Sequence, residues 1–156
     1  MRWHTREDCG IELDAELNWW HDGERVEHPR IVEAFNRGLK VTDDGRYRLE
    51  IGNDWCFVKV AHAAFAVTAL DISDDGVPSV RLSDRTAEPL DVGSLEIGPD
   101  GVVLTKVKEG KALARFSRDA QFALGNLVEP SAGKSLVLKV GAKELPLPFA
   151  SWPIDG

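Results

Sequence analysis

The sequence predicts an α+β protein of two small lobes, in which each lobe packs a helix on antiparallel strands. The first observation is an apolar residue at every fourth position from 31 to 39, a spacing typical of a helix. The second is a change to alternating apolar and charged residues after the turn-forming pair Asp44-Gly45, which is typical of a strand with one buried face. The third is the return of a helical spacing after Val107.

The first lobe is predicted to begin with a helix over 29–39. Pro29 suits the first helical position, because the N–H that proline lacks would have no partner there. The helix presents Ile31, Phe35 and Leu39 on one side and ends before the turn at 43–45. A hairpin of 46–51 and 55–60 and a buried strand over 65–72 complete the lobe.

The second lobe is predicted to contain strands over 77–82, 92–97 and 102–107, followed by the second helix. The apolar residues between 112 and 128 follow a three-four spacing, and Glu129-Pro130 ends that pattern. A last hairpin turns at Gly141. We therefore divide the chain into an acidic N-terminal arm, 1–16, a first lobe, 17–76, and a second lobe, 77–156, which together form one compact unit.

The apolar sides of these elements predict the core. Its members are Ile31, Phe35, Leu39, Tyr47, Leu49, Phe57, Phe65, Leu113, Phe116, Ala120, Leu124 and Leu127. The lobes also show self-similarity, because 29–51 aligns with 118–140 as a helix that leads through a polar loop into a hairpin. We favour this register as a structural repeat. A second register, which aligns 44–45 with 100–101, equates a strand with the second predicted helix and is rejected.

Composition and charge disfavour two classes of partner. The chain has 156 residues and a net charge of −7, so no basic surface is expected for nucleic acid or for an anionic membrane. The first residues carry no apolar stretch of the kind found in signal peptides, and we predict a cytoplasmic protein. Cys9 and Cys56 have a spacing that suggests neither a zinc site nor a redox pair.

With these patterns in place, the chain resembles the bacterial family called domain of unknown function 1285 (DUF1285). The residues that carry the resemblance extend from about Trp20 to Phe149 and include Trp20-His21-Asp22-Gly23, His28-Pro29, Asp44-Gly45-Arg46-Tyr47-Arg48-Leu49, Ala63-Ala64-Phe65, Arg81-Leu82-Ser83, Glu88-Pro89-Leu90 and 112–128.

The chain departs from the family pattern at three places. His62-Ala63-Ala64-Phe65 stands for Asp-Ala-Pro-Phe, and the family's Thr-Pro-x-Glu and Trp-Ser-Gly-Gly are replaced around Gly52-Asn53-Asp54 and Lys139-Val140-Gly141. The resemblance implies an α+β fold of two lobes with a recurring helix-and-sheet motif. The resemblance also suggests a role in signal transduction or small-ligand sensing.

The residues contain no familiar catalytic motif, and we predict no catalytic residues and no cofactor. The cluster His21, Asp22, Glu24, Glu27 and His28 offers imidazole and carboxylate groups, but the spacing of its histidines fits no common metal site, so we predict no metal. A solvated turn followed by a helix cap accounts for these residues.

For a small ligand, we predict a site where the lobes meet. A tryptophan offers a stacking face, and a histidine offers a donor and an acceptor near neutral pH. The predicted ligand-binding residues are Trp20, His21, His28, Tyr47 and Arg48. The alternative is that Trp20 fills the lobe interface and His21 satisfies a buried carbonyl.

Three classes of function are compatible with the sequence. The first is a regulatory or sensory module that binds a small ligand. The second is an adaptor that binds another protein through an apolar patch, and the third is an enzyme with an unfamiliar site. A concave pocket favours the first class, a flat apolar patch the second, and strongly shifted pKa values in a cleft the third.

Overall fold

The computed structural model describes residues 6–133 and 135–153. Within these residues the chain forms a mixed α+β fold that is largely sheet, with two six-stranded sheets and one three-stranded sheet. Its elements in chain order are β1 Ile11–Leu13, β2 Trp19–His21, β3 Glu24–Arg25, α1 Pro29–Gly38, β4 Leu39–Val41, β5 Tyr47–Ile51, β6 Asp54–Val60, β7 Phe65–Ile72, β8 Pro78–Leu82, β9 Ala87–Pro89, the 3₁₀ turn Val92–Ser94, β10 Glu96–Ile97, β11 Val103–Val107, β12 Ala112–Phe116, α2 Arg118–Gly125, β13 Val128–Pro130, β14 Leu136–Val140 and β15 Lys143–Pro146.

The first sheet has the strand order β3-β2-β1-β6-β5-β4. Strands β2 and β3 are joined by Asp22-Gly23, both with positive φ, as the Asp-Gly turn signal predicts. Side chains alternate between the two faces of each strand, and the register aligns the alternation across the sheet. The inner face carries Ile11, Leu13, Trp19, Leu49 and Cys56, and the outer face carries Glu12, Trp20, Arg48, Phe57 and Lys59.

Helix α1 begins at the predicted proline and packs against the first sheet. The side chain of His28 caps the helix, because its Nδ1 accepts from the Arg30 N–H at 3.2 Å. Phe35 meets Trp19 edge-to-face at 5.3 Å between ring centroids. The helix ends at Gly38, where it passes close to the backbone of Glu50.

We expect Gly38→Ala to destabilise the protein by about 1–3 kcal/mol, the usual range for overpacking. A Cβ at this position would lie 2.2 Å from the backbone oxygen of Glu50, so helix and strand must move apart. The matched control is Gly93→Ala, whose Cβ would have no neighbour closer than 3.8 Å. Chemical denaturation of both variants measures the difference. Equal stability of the two would contradict the close approach of α1 to β5.

The second sheet has the order β10-β11-β12-β7-β8-β9. Strand β7 lies in its middle, parallel to β12 and antiparallel to β8. The sequence division places 65–72 in the first lobe, whereas β7 pairs here with strands that follow it in the chain. The arm 1–16 likewise contributes β1, which is a central strand of the first sheet. The lobe boundaries stay a prediction.

The second helix is shorter than predicted. Residues 112–116 form strand β12, and helix α2 occupies only Arg118–Gly125. Ser117 caps the helix by accepting from the Ala120 N–H at 3.2 Å. The prediction was wrong over 112–116 because Ala112, Ala114 and Phe116 satisfy a period of two as well as a helical spacing. Antiparallel pairing of 112–115 with strand β11, Val103–Val107, stabilises the strand conformation.

The third sheet, β13-β14-β15, follows α2 directly. The order helix, short strand, hairpin therefore occurs in α1-β4-β5-β6 and again in α2-β13-β14-β15. Among the described residues, no helix is long and apolar enough to cross a membrane.

The core is one continuous cluster that joins both large sheets. Of the predicted core residues, Phe35, Leu39, Leu49, Phe65, Phe116, Ala120 and Leu124 are buried. Ile31 is 37% exposed, because α1 buries its C-terminal half, at Phe35 and Gly38. The residues Tyr47, Phe57, Leu113 and Leu127 are only half-buried.

A disulfide joins Cys9 to Cys56, two buried residues whose Cα atoms are 6.2 Å apart. The spacing in the sequence did not predict this pair, because the two cysteines are 47 positions apart and pairing of β1 with β6 brings them together. The Phe57 N–H also donates to the carbonyl of Arg6 at 2.7 Å. The segment 6–10 is thereby fastened to β6.

A buried ion pair joins the β8–β9 turn to the β11–β12 turn, where the second sheet approaches β4. The carboxylate of Asp84, whose side chain is 2% exposed, accepts from Lys108 Nζ at 2.6 Å and from the Thr86 hydroxyl at 2.6 Å. Burial alone would raise the pKa of Asp84, but these hydrogen bonds outweigh it and hold the pKa below its usual value.

This lowered pKa predicts a pH dependence of stability. Asp84 stabilises the fold fully above the pKa of an unfolded aspartate, about 3.9, and the contribution is lost as the pH falls through the lower folded pKa. We expect the free energy of unfolding to fall over this acid range, and to fall less steeply in Asp84→Asn. Denaturation between neutral pH and pH ~2 measures both slopes. Identical slopes would contradict the assignment to Asp84.

Candidate ligand-binding site

Two adjoining cavities lie along the first sheet beside strands β1 and β6. One has a volume of 310 Å³ and the other 390 Å³. Glu12 and Lys59 line both, and these two residues are register partners across the parallel ladder. We call the pair of cavities the β1–β6 trough.

Trp20 lines one end of the trough. Its indole Nε1 donates to Asp14 Oδ2 at 2.9 Å, which fixes the orientation of the ring. The other carboxylate oxygen of Asp14 accepts from the backbone N–H groups of Glu16 and Asn18. Burial alone would raise the pKa of Asp14, but the hydrogen bonds from Trp20 and the loop outweigh it and lower the pKa. The carboxylate that positions Trp20 is therefore charged at neutral pH.

The other end of the trough combines an aromatic ring with a cation. The guanidinium of Arg46 lies 3.4 Å from the ring centroid of Phe57 and donates to Glu7 at 2.8 Å. Tyr47 borders the same cavity, but the register places its side chain with that of Leu49 on the inner face, where burial raises the pKa of its hydroxyl. The remaining wall includes Asp8 and Gly10, in the segment that the disulfide fastens to β6.

The five residues predicted from the sequence lie on or beside the first sheet, but only two line the trough. Trp20 and Tyr47 do so from opposite ends. Arg48 is the register partner of Phe57; its guanidinium donates to Glu50 at 2.8 Å and lies 5.0 Å from the Trp55 ring.

The two histidines lie elsewhere. His21 is half-buried at the end of β2, with its Nε2 atom 3.5 Å from the carboxylate of Asp22, and His28 is occupied as the cap of α1. Within 6–133 and 135–153, no group of three or more His, Cys, Asp or Glu side chains is arranged to hold a metal ion.

Sequence reasoning missed Glu12, Lys59 and Arg46. Glu12 falls in the segment predicted to be an arm, and Lys59 reads as an ordinary charged position on an alternating strand. The parallel pairing of β1 with β6 makes Glu12 and Lys59 neighbours, and no local signal predicts such a pairing.

Comparison with known proteins supports the fold. No protein-family model matches the chain, and no curated protein matches it. A solved structure of a DUF1285 family protein from Silicibacter pomeroyi DSS-3 is similar, with a TM-score of 0.63 and 18% sequence identity over 94% of this chain and 82% of that one.

A second DUF1285 family protein, from Shewanella baltica OS155, is similar with a TM-score of 0.55 and 18% identity, over 75% of this chain and 91% of that one. At this identity the likeness shows a shared fold. It confirms, at the level of the fold, the resemblance to DUF1285 that the sequence motifs indicated.

Proposed function

We propose that this chain, which shares the fold of DUF1285 family proteins, is a regulatory or sensory module that binds a small molecule in the β1–β6 trough. The observation that carries the proposal is the pair of cavities that share Glu12 and Lys59 and end in fixed aromatic rings. Their volumes are of the size that small-molecule sites have, about 300–1,000 Å³.

The chemistry of the trough indicates the kind of ligand. Trp20 offers an apolar face whose orientation Asp14 fixes, so a ring or another flat group of the ligand stacks there. Glu12, Lys59 and Arg46 offer both signs of charge along the trough, so the ligand carries several polar groups. Trp20 is thus the binding residue that we retain from the sequence, with Tyr47 and Arg48 on the neighbouring strand β5.

The test is a thermal-shift screen of sugars, nucleosides and amino acids against the whole chain. A ligand present at a hundred times its Kd stabilises the folded state by about 2.7 kcal/mol, which raises Tm by roughly 5–10 °C for a chain of this size. Trp20→Ala should abolish the shift. Trp55→Ala is the matched control, because Trp55 lies on the outer face of the same sheet and does not line the trough.

A screen without any shift, or a shift that survives in Trp20→Ala, would contradict the proposal. The alternative is a protein adaptor; Phe122 on α2, 72% exposed, is the most exposed large hydrophobic residue among those described and is the position at which to test it. That alternative predicts a protein partner whose binding is lost in Phe122→Ser and kept in Trp20→Ala.

We also propose that 118–140 repeats 29–51, which the matching order of their elements supports. The cytoplasmic location stays a prediction, and the disulfide argues against it, because disulfides are rare in reducing compartments.

A further inference from the structure

We propose that the Cys9–Cys56 disulfide is a redox switch for the β1–β6 trough, opened by a dithiol reductant. The inference rests on the proposed function, because it concerns the wall of the same trough. Three residues of 6–10, the segment that contains Cys9, line the 310 Å³ cavity. They are Glu7, Asp8 and Gly10. The 390 Å³ cavity beside Trp20 has no lining residue from this segment, so the switch acts on one end of the trough.

Weaker contacts also hold the segment 6–10 to β6. The Phe57 N–H donates to the carbonyl of Arg6 at 2.7 Å, and the Arg6 guanidinium lies 4.8 Å from the ring centroid of Trp55. Arg6 also pairs with Asp54 at 3.4 Å, and both of these side chains are more than half exposed. Exposed ion pairs contribute little to stability. The covalent bond is therefore the main tie between this segment and the first sheet.

Reduction forces one of the two cysteines to move. Both residues are fully buried, and two separate thiols need more room than a bonded pair of sulfur atoms. Cys56 is fixed in β6, where it is the register partner of Leu49 on β5. Cys9 belongs to no helix or strand, so Cys9 moves and the segment 6–10 moves with it.

Release of the segment changes the trough in two ways. The 310 Å³ cavity loses the wall that Asp8 and Gly10 provide, and it opens to solvent. Arg46 loses Glu7, which accepts from its guanidinium at 2.8 Å, and keeps its contact with the Phe57 ring. The reduced chain therefore offers a small molecule less enclosed surface and binds it more weakly.

The reaction is a thiol–disulfide exchange with a dithiol. One thiolate of the dithiol attacks a sulfur atom of the disulfide, and the other cysteine sulfur leaves as a thiolate. The second thiol of the reductant then displaces the protein from the mixed disulfide. Two electrons and two protons pass to Cys9 and Cys56, and the dithiol becomes a cyclic disulfide. The buried sulfur atoms become accessible when the segment 6–10, whose residues 6–8 are exposed, opens locally.

The experiment is ¹⁵N NMR relaxation of the whole chain, first oxidised and then reduced by dithiothreitol. In the oxidised chain we expect the amides of 7–10 to have order parameters of about 0.85, and in the reduced chain values below about 0.6. The Ala61 N–H donates to the carbonyl of Leu13 where β1 and β6 run side by side, so the amides of both residues should stay rigid in both states.

The indole N–H signals report on the two ends of the trough separately. The signal of Trp55 should shift on reduction, because the Arg6 guanidinium leaves its ring. The signal of Trp20 should stay in place, because Asp14 holds that indole and lies outside the segment 6–10.

Glu7→Gln is the matched control. It removes the ion pair with Arg46 and keeps the disulfide, so the segment should stay ordered while the variant is oxidised. Replacing both cysteines by alanine should give a mobile segment with and without dithiothreitol.

Three results would overturn the proposal: a segment that stays ordered after reduction, an equal loss of order in oxidised Glu7→Gln, or unfolding of the whole chain on reduction. These measurements need no ligand. A thermal-shift screen without a hit therefore counts against the proposed function, whereas a segment that stays ordered counts against the switch alone.

Discussion

Replacing Cys9 and Cys56 together by alanine is expected to lower the free energy of unfolding by about 4 kcal/mol. The disulfide closes a loop between residues 47 positions apart, so its loss greatly increases the conformational freedom of the unfolded chain. Urea denaturation of the oxidised chain and of the double variant measures the difference.

A reducing agent separates the cross-link from the side chains. It should lower the stability of the unaltered chain and leave that of the double variant unchanged, because the variant has no disulfide to lose. If the reduced and oxidised chains unfold at the same urea concentration, the disulfide does not constrain the chain in solution.

Phe35→Ala is expected to cost about 3–5 kcal/mol, the usual loss for a buried aromatic residue. Phe35 is buried between α1 and the first sheet, where its ring meets the edge of Trp19. The substitution leaves a cavity in the core that the neighbouring side chains fill only in part.

Ile31→Ala is the matched control on the same helix. Ile31 lies one turn earlier and is exposed, so its truncation should cost less than 1 kcal/mol. Chemical denaturation of the two variants distinguishes the buried from the exposed side of α1. A loss below 1 kcal/mol for Phe35→Ala would mean that α1 presents a different side to the sheet.

Local patterns predicted the elements whose signals are local. Pro29 and the spacing of Phe35 and Leu39 gave the start and the buried side of α1, and Asp22-Gly23 gave a tight turn. The same kind of reasoning failed at 112–116, because this short apolar stretch fits the spacing of a strand and of a helix equally well. Pairing with a distant strand determines that 112–116 is a strand, and local sequence patterns do not reveal that pairing.

The candidate sites depend almost wholly on such distant pairing. The sequence alone indicates Trp20 as a candidate, because an exposed turn does not need a tryptophan, and Trp20 lines the trough. Lys59 and Glu12 meet only through a parallel ladder, and Lys108 meets Asp84 because two turns of the second sheet lie side by side. Charged residues are ordinary in turns and on strands with an alternating apolar and polar pattern, so the sequence does not indicate these contacts.

Each sheet is built from an uninterrupted stretch of chain, and this order bears on folding during synthesis. The first sheet uses 11–60, the second 65–116 and the third 128–146. A ribosome releases the N-terminal part first, so the strands of the first sheet can pair before the second sheet has been made. Helix α1 covers part of its inner face by then, and the rest stays uncovered, because the core is shared with β7 and β12. The nascent chain therefore exposes an apolar sheet face until residue 116 has left the ribosome, which makes that interval the one most open to aggregation and to chaperones.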